Sequence, residues 1–204
     1  MKKRVRAFLI SSVLLAAMVF SGCALKPVVD STRFYVLGVE NYEPVSAERE
    51  EKGVVVGISR VQLARYLDSP EIVVRERENR ILYSKNDRWA EPLEYGVARL
   101  LAEMLREESA IADVIAFPMR PRSVPDFDLY VSILRAEGVI AEEDSHAEFE
   151  AVWELRADNR VVADGAVWEN SLHWDGEDIE QLVAVLSSAV AGLSEQVAGA
   201  IEKL

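Results

Sequence analysis

Residues 148–156 read EFEAVWELR, and this stretch decides the fold. Every second residue is apolar and most of those between are charged, which is the period of a β-strand with one buried and one wet face. The same alternation occurs over 127–133, and an Asp158-Asn159 turn leads into a return strand over 161–168. The last third of the chain therefore predicts an antiparallel meander, with Trp153 and Trp168 as core residues.

The rest of the chain supplies shorter strands and two helices. Segments rich in apolar and β-branched residues are predicted strands: 33–37, 54–58, 72–75, 81–83 and 113–117. Apolar residues at three-and-four spacing predict one helix beginning near Leu93, after Pro92, and a longer one over 179–201, after an acidic N-cap segment. The predicted fold class is α+β: a single domain whose mainly antiparallel sheet carries both principal helices on one face.

The amino terminus has the layout of an export signal. Four basic residues within the first six are followed by an apolar run too short to span a bilayer, which needs about 20 residues. Residues 20–23, Phe-Ser-Gly-Cys, resemble the bacterial lipobox, in which the cysteine is acylated and becomes the new amino terminus. The alternative is an ordinary signal peptide followed by a free thiol. The expected organisation is a signal peptide over 1–22, a lipidated tether over 23–32 and a folded domain over 33–204.

Charge excludes some partners. The full chain has 204 residues and a net charge of −12, and loss of the four basic residues of the signal gives a 182-residue mature chain of −16. This acidity argues against nucleic acid as a partner and against electrostatic binding to anionic lipid. A covalent lipid on Cys23, the sole cysteine, would hold the chain to its membrane and would leave no thiol for disulfides or metal ions.

The sequence also lacks recognisable catalytic motifs. His146 and His173 belong to no triad or metal-binding pair, and the acidic run 142–144 lacks the ligand pattern of a calcium loop. No phosphate-binding glycine loop occurs. We therefore expect no enzyme activity, no catalytic residues, no metal site and no cofactor beyond the lipid on Cys23.

Three segments carry a family resemblance: 33–37 (RFYVL), 54–70 ending in ARYLDSP, and 86–93 (NDRWAEPL). Together they resemble the ABC-type transport auxiliary lipoprotein family, the PqiC-like lipoproteins of MCE-domain transport systems. The resemblance implies a non-catalytic lipoprotein on the periplasmic face of the outer membrane, a location that Ala24 after the cysteine also favours. It implies a periplasmic MCE-domain protein as partner and, through it, an inner-membrane permease and ATPase that move lipids or hydrophobic compounds. A ring-forming partner would favour a homo-oligomer of this chain.

The candidate partner-contact residues lie in the second and third segments: Arg65, Tyr66, Leu67, Arg88, Trp89 and Glu91. Trp, Tyr and Arg are enriched in interfaces, but for Trp89 a core position, with Arg88 and Glu91 closing the helix start, is favoured over a contact role. Two other functions remain open. One is a carrier that holds a lipid between sheet and helices, and the other is a purely structural envelope lipoprotein.

Overall fold

The computed structural model describes residues 30–39, 53–116, 124–142 and 144–204. The chain divides into two units, Met1–Ser31 and Thr32–Leu204, and every helix and strand named below belongs to the second. The signal peptide, Cys23 and residues 24–29 of the tether lie outside the described residues.

In the described residues, nine strands and two helices follow one another. They are β1 (Arg33–Tyr35), β2 (Val54–Ile58), β3 (Gln62–Leu63), β4 (Glu71–Arg77), β5 (Arg80–Trp89), α1 (Leu93–Glu107), β6 (Ile111–Ala116), β7 (Phe127–Val139), β8 (His146–Ala157), β9 (Arg160–His173) and α2 (Ile179–Ile201). A 3₁₀ turn, Arg65–Leu67, connects β3 to β4.

Strand β7 is the centre of the sheet. Along one edge it pairs in parallel with β2, then β3, then β4, and along the other edge it pairs antiparallel with β8 over nearly its whole length. β6 extends the sheet beyond β2, β5 and β1 extend it beyond β4, and β9 extends it beyond β8. The long ladders are antiparallel and the parallel ones are short, so the sheet is mixed and the predicted α+β class is confirmed.

The two-residue period predicted for β7 and β8 is present in the structure. Phe149, Trp153 and Leu155 are buried, whereas the glutamates between them lie on the wetter face of the sheet. The prediction of a core position for Trp168 is wrong, because Trp168 is 57 % exposed whereas Trp153 is 5 % exposed. Trp168 pairs with Glu150 across β8 and β9, which places its side chain on the wet face.

The β8–β9 hairpin turns on two residues with left-handed backbone. Asp158 and Asn159 have φ of 48° and 63°, the conformation that a tight two-residue hairpin requires and that Asp and Asn tolerate better than most residues. The β4–β5 hairpin also turns on two residues, Glu78 and Asn79, although no glycine marks that turn.

Both helices pack on one face of the sheet and against each other. The Asp178 carboxylate caps α2 by accepting hydrogen bonds from the backbone N–H groups of Glu180 and Gln181. α2 is long and apolar enough by composition to cross a membrane, but 56 % of its apolar window is buried in this domain, as in a core helix. Sequence analysis did not identify Trp174, whose fully buried ring lies against Gly138, where any side chain would collide with it.

Candidate functional site

A surface groove of about 330 Å³ brings the second and third resemblance segments together. We call it the motif groove, and it is lined by Leu63, Leu67, Asp68, Ser69, Pro70, Trp89, Ala90, Glu91, Pro92 and Leu93. Leu67, Trp89 and Leu93 are buried in the core and form its apolar floor. Asp68 and Ala90 are exposed at its rim. Such a groove suits an apolar side chain, with polar groups available only at its border.

The β4–β5 hairpin holds the two segments side by side. The backbone N–H of Trp89 donates to the Pro70 carbonyl at 2.8 Å, and the Arg88 guanidinium lies 3.3 Å from the Glu71 carboxylate. Ser69 Oγ donates to the same carboxylate at 2.5 Å. The Ser69 hydrogen bond first, and also the charge of Arg88, lower the pKa of Glu71, so this carboxylate is ionised at neutral pH.

Glu91 ties the groove to α1 and to the segment after β1. Its Oε1 accepts from both Nε and Nη2 of Arg99, at 3.0 and 2.9 Å. Arg99 also donates to the Leu37 carbonyl at 2.7 Å and to Glu103 on the next turn of the helix. Pro92 at the helix start offers no side-chain cap, and this network links the residues before α1 to the helix and to Leu37.

A buried carboxylate fastens β1 to β5 just before Arg88. Asp87 accepts from Arg33 Nε at 2.7 Å, from Ser84 Oγ at 2.7 Å and from the Tyr35 hydroxyl at 3.4 Å. Burial alone would raise the pKa of Asp87, but the hydrogen bonds from Ser84 and Arg33 outweigh it and hold that pKa below its usual value.

A second buried carboxylate lies where β4 meets β7. Glu137 is fully buried, and its Oε1 accepts from Arg75 Nε at 2.6 Å. Its Oε2 has no hydrogen-bond partner in the described part of the chain. The Arg75 guanidinium also lies 5.9 Å from the centre of the Tyr66 ring. Burial, followed by the charge of Glu137, raises the pKa of Tyr66 well above its usual range.

The structure places the six predicted contact residues in different surroundings. Leu67 and Trp89 are core residues that reach the surface only as the groove floor, so the burial of Trp89 supports its packing role. Tyr66 does not line the groove. Its hydroxyl donates to the Leu134 carbonyl, and its own carbonyl accepts from Tyr83.

The remaining three contact candidates lie nearer to solvent. Arg88 and Glu91 are partly exposed but already ion-paired within the chain, and Arg65 is exposed. Sequence analysis did not single out Asp68 and Ala90 at the rim, although both lie within the segments that carry the resemblance. Only the hairpin register, with Glu71 opposite Arg88, shows that they face one groove.

Other reactive side chains lie elsewhere. His146 and His173 face each other across β8 and β9, and neither lines the motif groove. Within residues 30–39, 53–116, 124–142 and 144–204, no three His, Cys, Asp or Glu side chains converge as a metal site requires. The groove itself offers carboxylates and one hydroxyl that is already bonded to Glu71.

Solved structures of low sequence identity share this fold. Protein XCC0632 from Xanthomonas campestris matches with a TM-score of 0.66 and 20 % identity, over 82 % of this chain and 93 % of that one. An uncharacterized protein of known structure matches with a TM-score of 0.65 and 16 % identity, over 82 % of this chain and 96 % of its own. No curated protein matches the chain.

The class of protein is therefore an α+β domain with a groove at the start of α1. The family model for the ABC-type transport auxiliary lipoprotein component matches residues 35–198. The chain belongs to that family, as the sequence resemblance predicted, and it is a lipoprotein that serves as an auxiliary component of an ABC-type transport system.

Proposed function

We propose that this chain is a non-catalytic outer-membrane lipoprotein of an MCE-type ABC transport system. It docks the periplasmic MCE subunit, helps lipids or other hydrophobic compounds cross the periplasm and so supports membrane integrity. The observation that carries the proposal is the family match over residues 35–198, because an auxiliary subunit leaves nucleotide hydrolysis to another protein. The permease and ATPase would be reached only through the MCE partner.

The docking surface in this proposal is the motif groove and its border. An apolar side chain of the partner would enter above Trp89 and Leu67. Glu91 in the groove lining, together with Arg65 and Arg88 outside it, would contact the partner around that side chain. Interfaces commonly centre on such a pocket, filled by one anchor side chain and surrounded by polar contacts. Tyr66 would act indirectly, by holding the 3₁₀ turn through its bond to Leu134.

The membrane attachment in this proposal is a diacylglyceryl group on Cys23, with residues 1–22 removed, residues 23–32 as tether and residues 33–204 as the periplasmic domain. No other cofactor is needed. We expect labelled palmitate to be incorporated into the wild-type chain and to be absent from Cys23→Ser. The Cys23→Ser chain should leave the outer-membrane fraction for the soluble periplasmic fraction. An unlabelled wild-type chain in the soluble fraction would refute the anchor.

Docking can be tested by reversing one charge at the groove. A tagged wild-type chain, crosslinked in intact cells, should recover the MCE-domain protein. Asp68→Lys at the rim should reduce that recovery at least about tenfold, the effect of about 1.4 kcal/mol. Glu180→Lys makes the same charge change at an exposed position of α2, outside the groove, and should leave the recovery of the MCE-domain protein unchanged. Recovery of the tagged wild-type chain alone would count against docking.

The carrier alternative needs a large apolar cavity between sheet and helices. The described side chains there form one continuous core cluster, from Leu37 to Ile201, and this packing favours docking. Lipid that co-purifies with the wild-type chain in stoichiometric amount would favour the carrier instead.

Deletion of the gene separates transport from a purely structural role. Selective sensitivity to membrane-active compounds indicates transport, and general shape defects indicate structure.

A further inference from the structure

A second groove follows the free edge of the sheet. Among the described strands, β9 pairs only with β8, and α2 lies beside it. Two adjoining clefts of about 480 and 640 Å³ separate the strand from the helix, and both include Glu195 and Gln196. We call this continuous feature the β9 groove. It is lined by Trp153 of β8, by residues within 162–172 of β9 and by residues within 188–204 on the helix side.

Two helix glycines keep the β9 groove open. Gly192 and Gly199 lie seven residues apart, so they occupy the same face of α2, one in each cleft. A Cβ atom at either position would meet nothing within 4 Å, and neither residue has a positive φ. Glycine inside a helix costs about 1 kcal/mol relative to alanine. No neighbouring atom in the domain requires glycine at these two positions. We conclude that the two glycines serve to leave space in the groove.

Among the described residues, no further strand pairs with the free edge of β9, although the strand carries charged residues and its ladder with β8 has two register shifts. β9 has 14 residues and no proline, and Val161, Val162 and Trp168 on it are exposed. Exposed edge strands of this length normally carry devices that prevent pairing, because their unpaired N–H and C=O groups accept a further strand. An added strand would bond to this backbone and send alternate side chains into the β9 groove.

The charges around the groove indicate what kind of strand it accepts. Glu169 on β9 and Glu195 on α2 border it, Asp164 lies on the wet face of the same strand opposite Glu154, and Lys203 lies at the far end of the groove. A second copy that paired its own β9 with this β9 would bring its Asp164 and Glu169 against these carboxylates, which is unfavourable. We infer that the β9 groove binds an extended segment of another protein in which apolar and basic residues alternate. This inference does not depend on which transport system the chain serves.

A synthetic peptide tests the inference directly. The full mature chain carrying Cys23→Ser is titrated with a fluorescent eight-residue peptide that alternates Val and Lys. We expect saturable binding that weakens with salt, together with protection of the β9 amides from hydrogen exchange. A peptide alternating Val and Glu should not bind. The Val–Lys peptide with N-methylated backbone amides should also fail, because it cannot pair with an edge strand.

Variants on α2 locate the site. Gly192→Leu and Gly199→Leu fill the groove at positions where a side chain fits, and each should weaken binding at least about tenfold, equivalent to about 1.4 kcal/mol. Ala184→Leu introduces the same leucine side chain at an exposed position outside the groove and should not affect binding. Glu195→Lys, at an exposed position, should lower affinity for the Val–Lys peptide even if a leucine variant folds poorly.

Three results would overturn the inference. The first is equal binding of the N-methylated peptide, which would indicate charge attraction without strand pairing. The second is unchanged affinity in all three groove variants. The third is concentration-dependent protection of β9 without peptide, which would show that a second copy of the chain covers this edge.

Discussion

Replacement of Arg75 by methionine should strongly destabilise the domain, because it strands a buried negative charge. The Glu137 side chain is 0 % exposed and that of Arg75 is 16 % exposed, and Arg75 supplies the one hydrogen bond that the carboxylate receives in the described part of the chain. Methionine keeps the apolar stem of Arg75 but removes both the charge and the donors. It also removes the bond from Arg75 to the Glu78 carbonyl.

The expected loss of stability differs between replacement of Arg75 and replacement of Glu137. Opposite unit charges about 4 Å apart attract by about 4 kcal/mol at an effective dielectric constant of about 20, and removal of one partner of a buried pair costs about 3–5 kcal/mol. We expect this full cost for Arg75→Met. Glu137→Met should cost less, about 1.5–3 kcal/mol, because the partly exposed Arg75 can turn its guanidinium toward water. The double variant should be at least as stable as wild type, since Glu137 Oε2 lacks a partner already.

Urea unfolding followed by tryptophan fluorescence measures all four proteins of this double-mutant cycle. Arg156→Met is a matched control, because Arg156 pairs with Glu154 at 2.6 Å while the Glu154 side chain is 46 % exposed. Its cost should be at most about 1 kcal/mol. The reasoning is refuted if Arg75→Met is no more destabilising than Arg156→Met, or if the double variant is as unstable as Arg75→Met alone.

Three further predictions concern residues described above. Because the folded-state pKa of Asp87 is depressed, its contribution to stability is present above its unfolded pKa of about 3.9 and is lost as pH falls through the lower folded value. Asp87→Asn should therefore be less stable than wild type at pH 7. The difference in unfolding free energy between the two proteins, measured by urea titration, should narrow below about pH 4. Trp153→Ala should cost about 3–5 kcal/mol and Trp168→Ala less than about 0.5 kcal/mol, so equal costs would contradict their opposite faces. Asp178→Ala should cost about 1 kcal/mol by loss of the α2 cap, and calorimetry that shows no drop in Tm would contradict that role.

The meander could be predicted from sequence because it has one wet face. In EFEAVWELR the glutamates mark that face, and the turn residues Asp158 and Asn159 locate the hairpin. The parallel pairings could not be predicted in the same way. The apolar run of β2 indicates burial on both sides but does not show that β6 and β7 are its neighbours. The sequence-based prediction put Trp168 in the core because apolar character alone does not determine which face a residue occupies in a bulged strand.

The candidate site shows the same limit. The two segments that line the motif groove stand out in the sequence, but their contact depends on a hairpin register that shifts between Glu71 and Val73. Glycines such as Gly192 appear in sequence only as weak points of a helix. The space around them becomes visible once β9 and α2 are placed together.

The central position of β7 affects how the chain can be made. β2, β3 and β4 precede their common partner by dozens of residues, so any fragment that ends before residue 127 has three strands without that neighbour. Pairing across such separations is slow, and unpaired strands attract other chains in the meantime. Newly made polypeptide must therefore be kept from self-association until its final third arrives, and truncation from the carboxyl end should yield insoluble material instead of a smaller working domain.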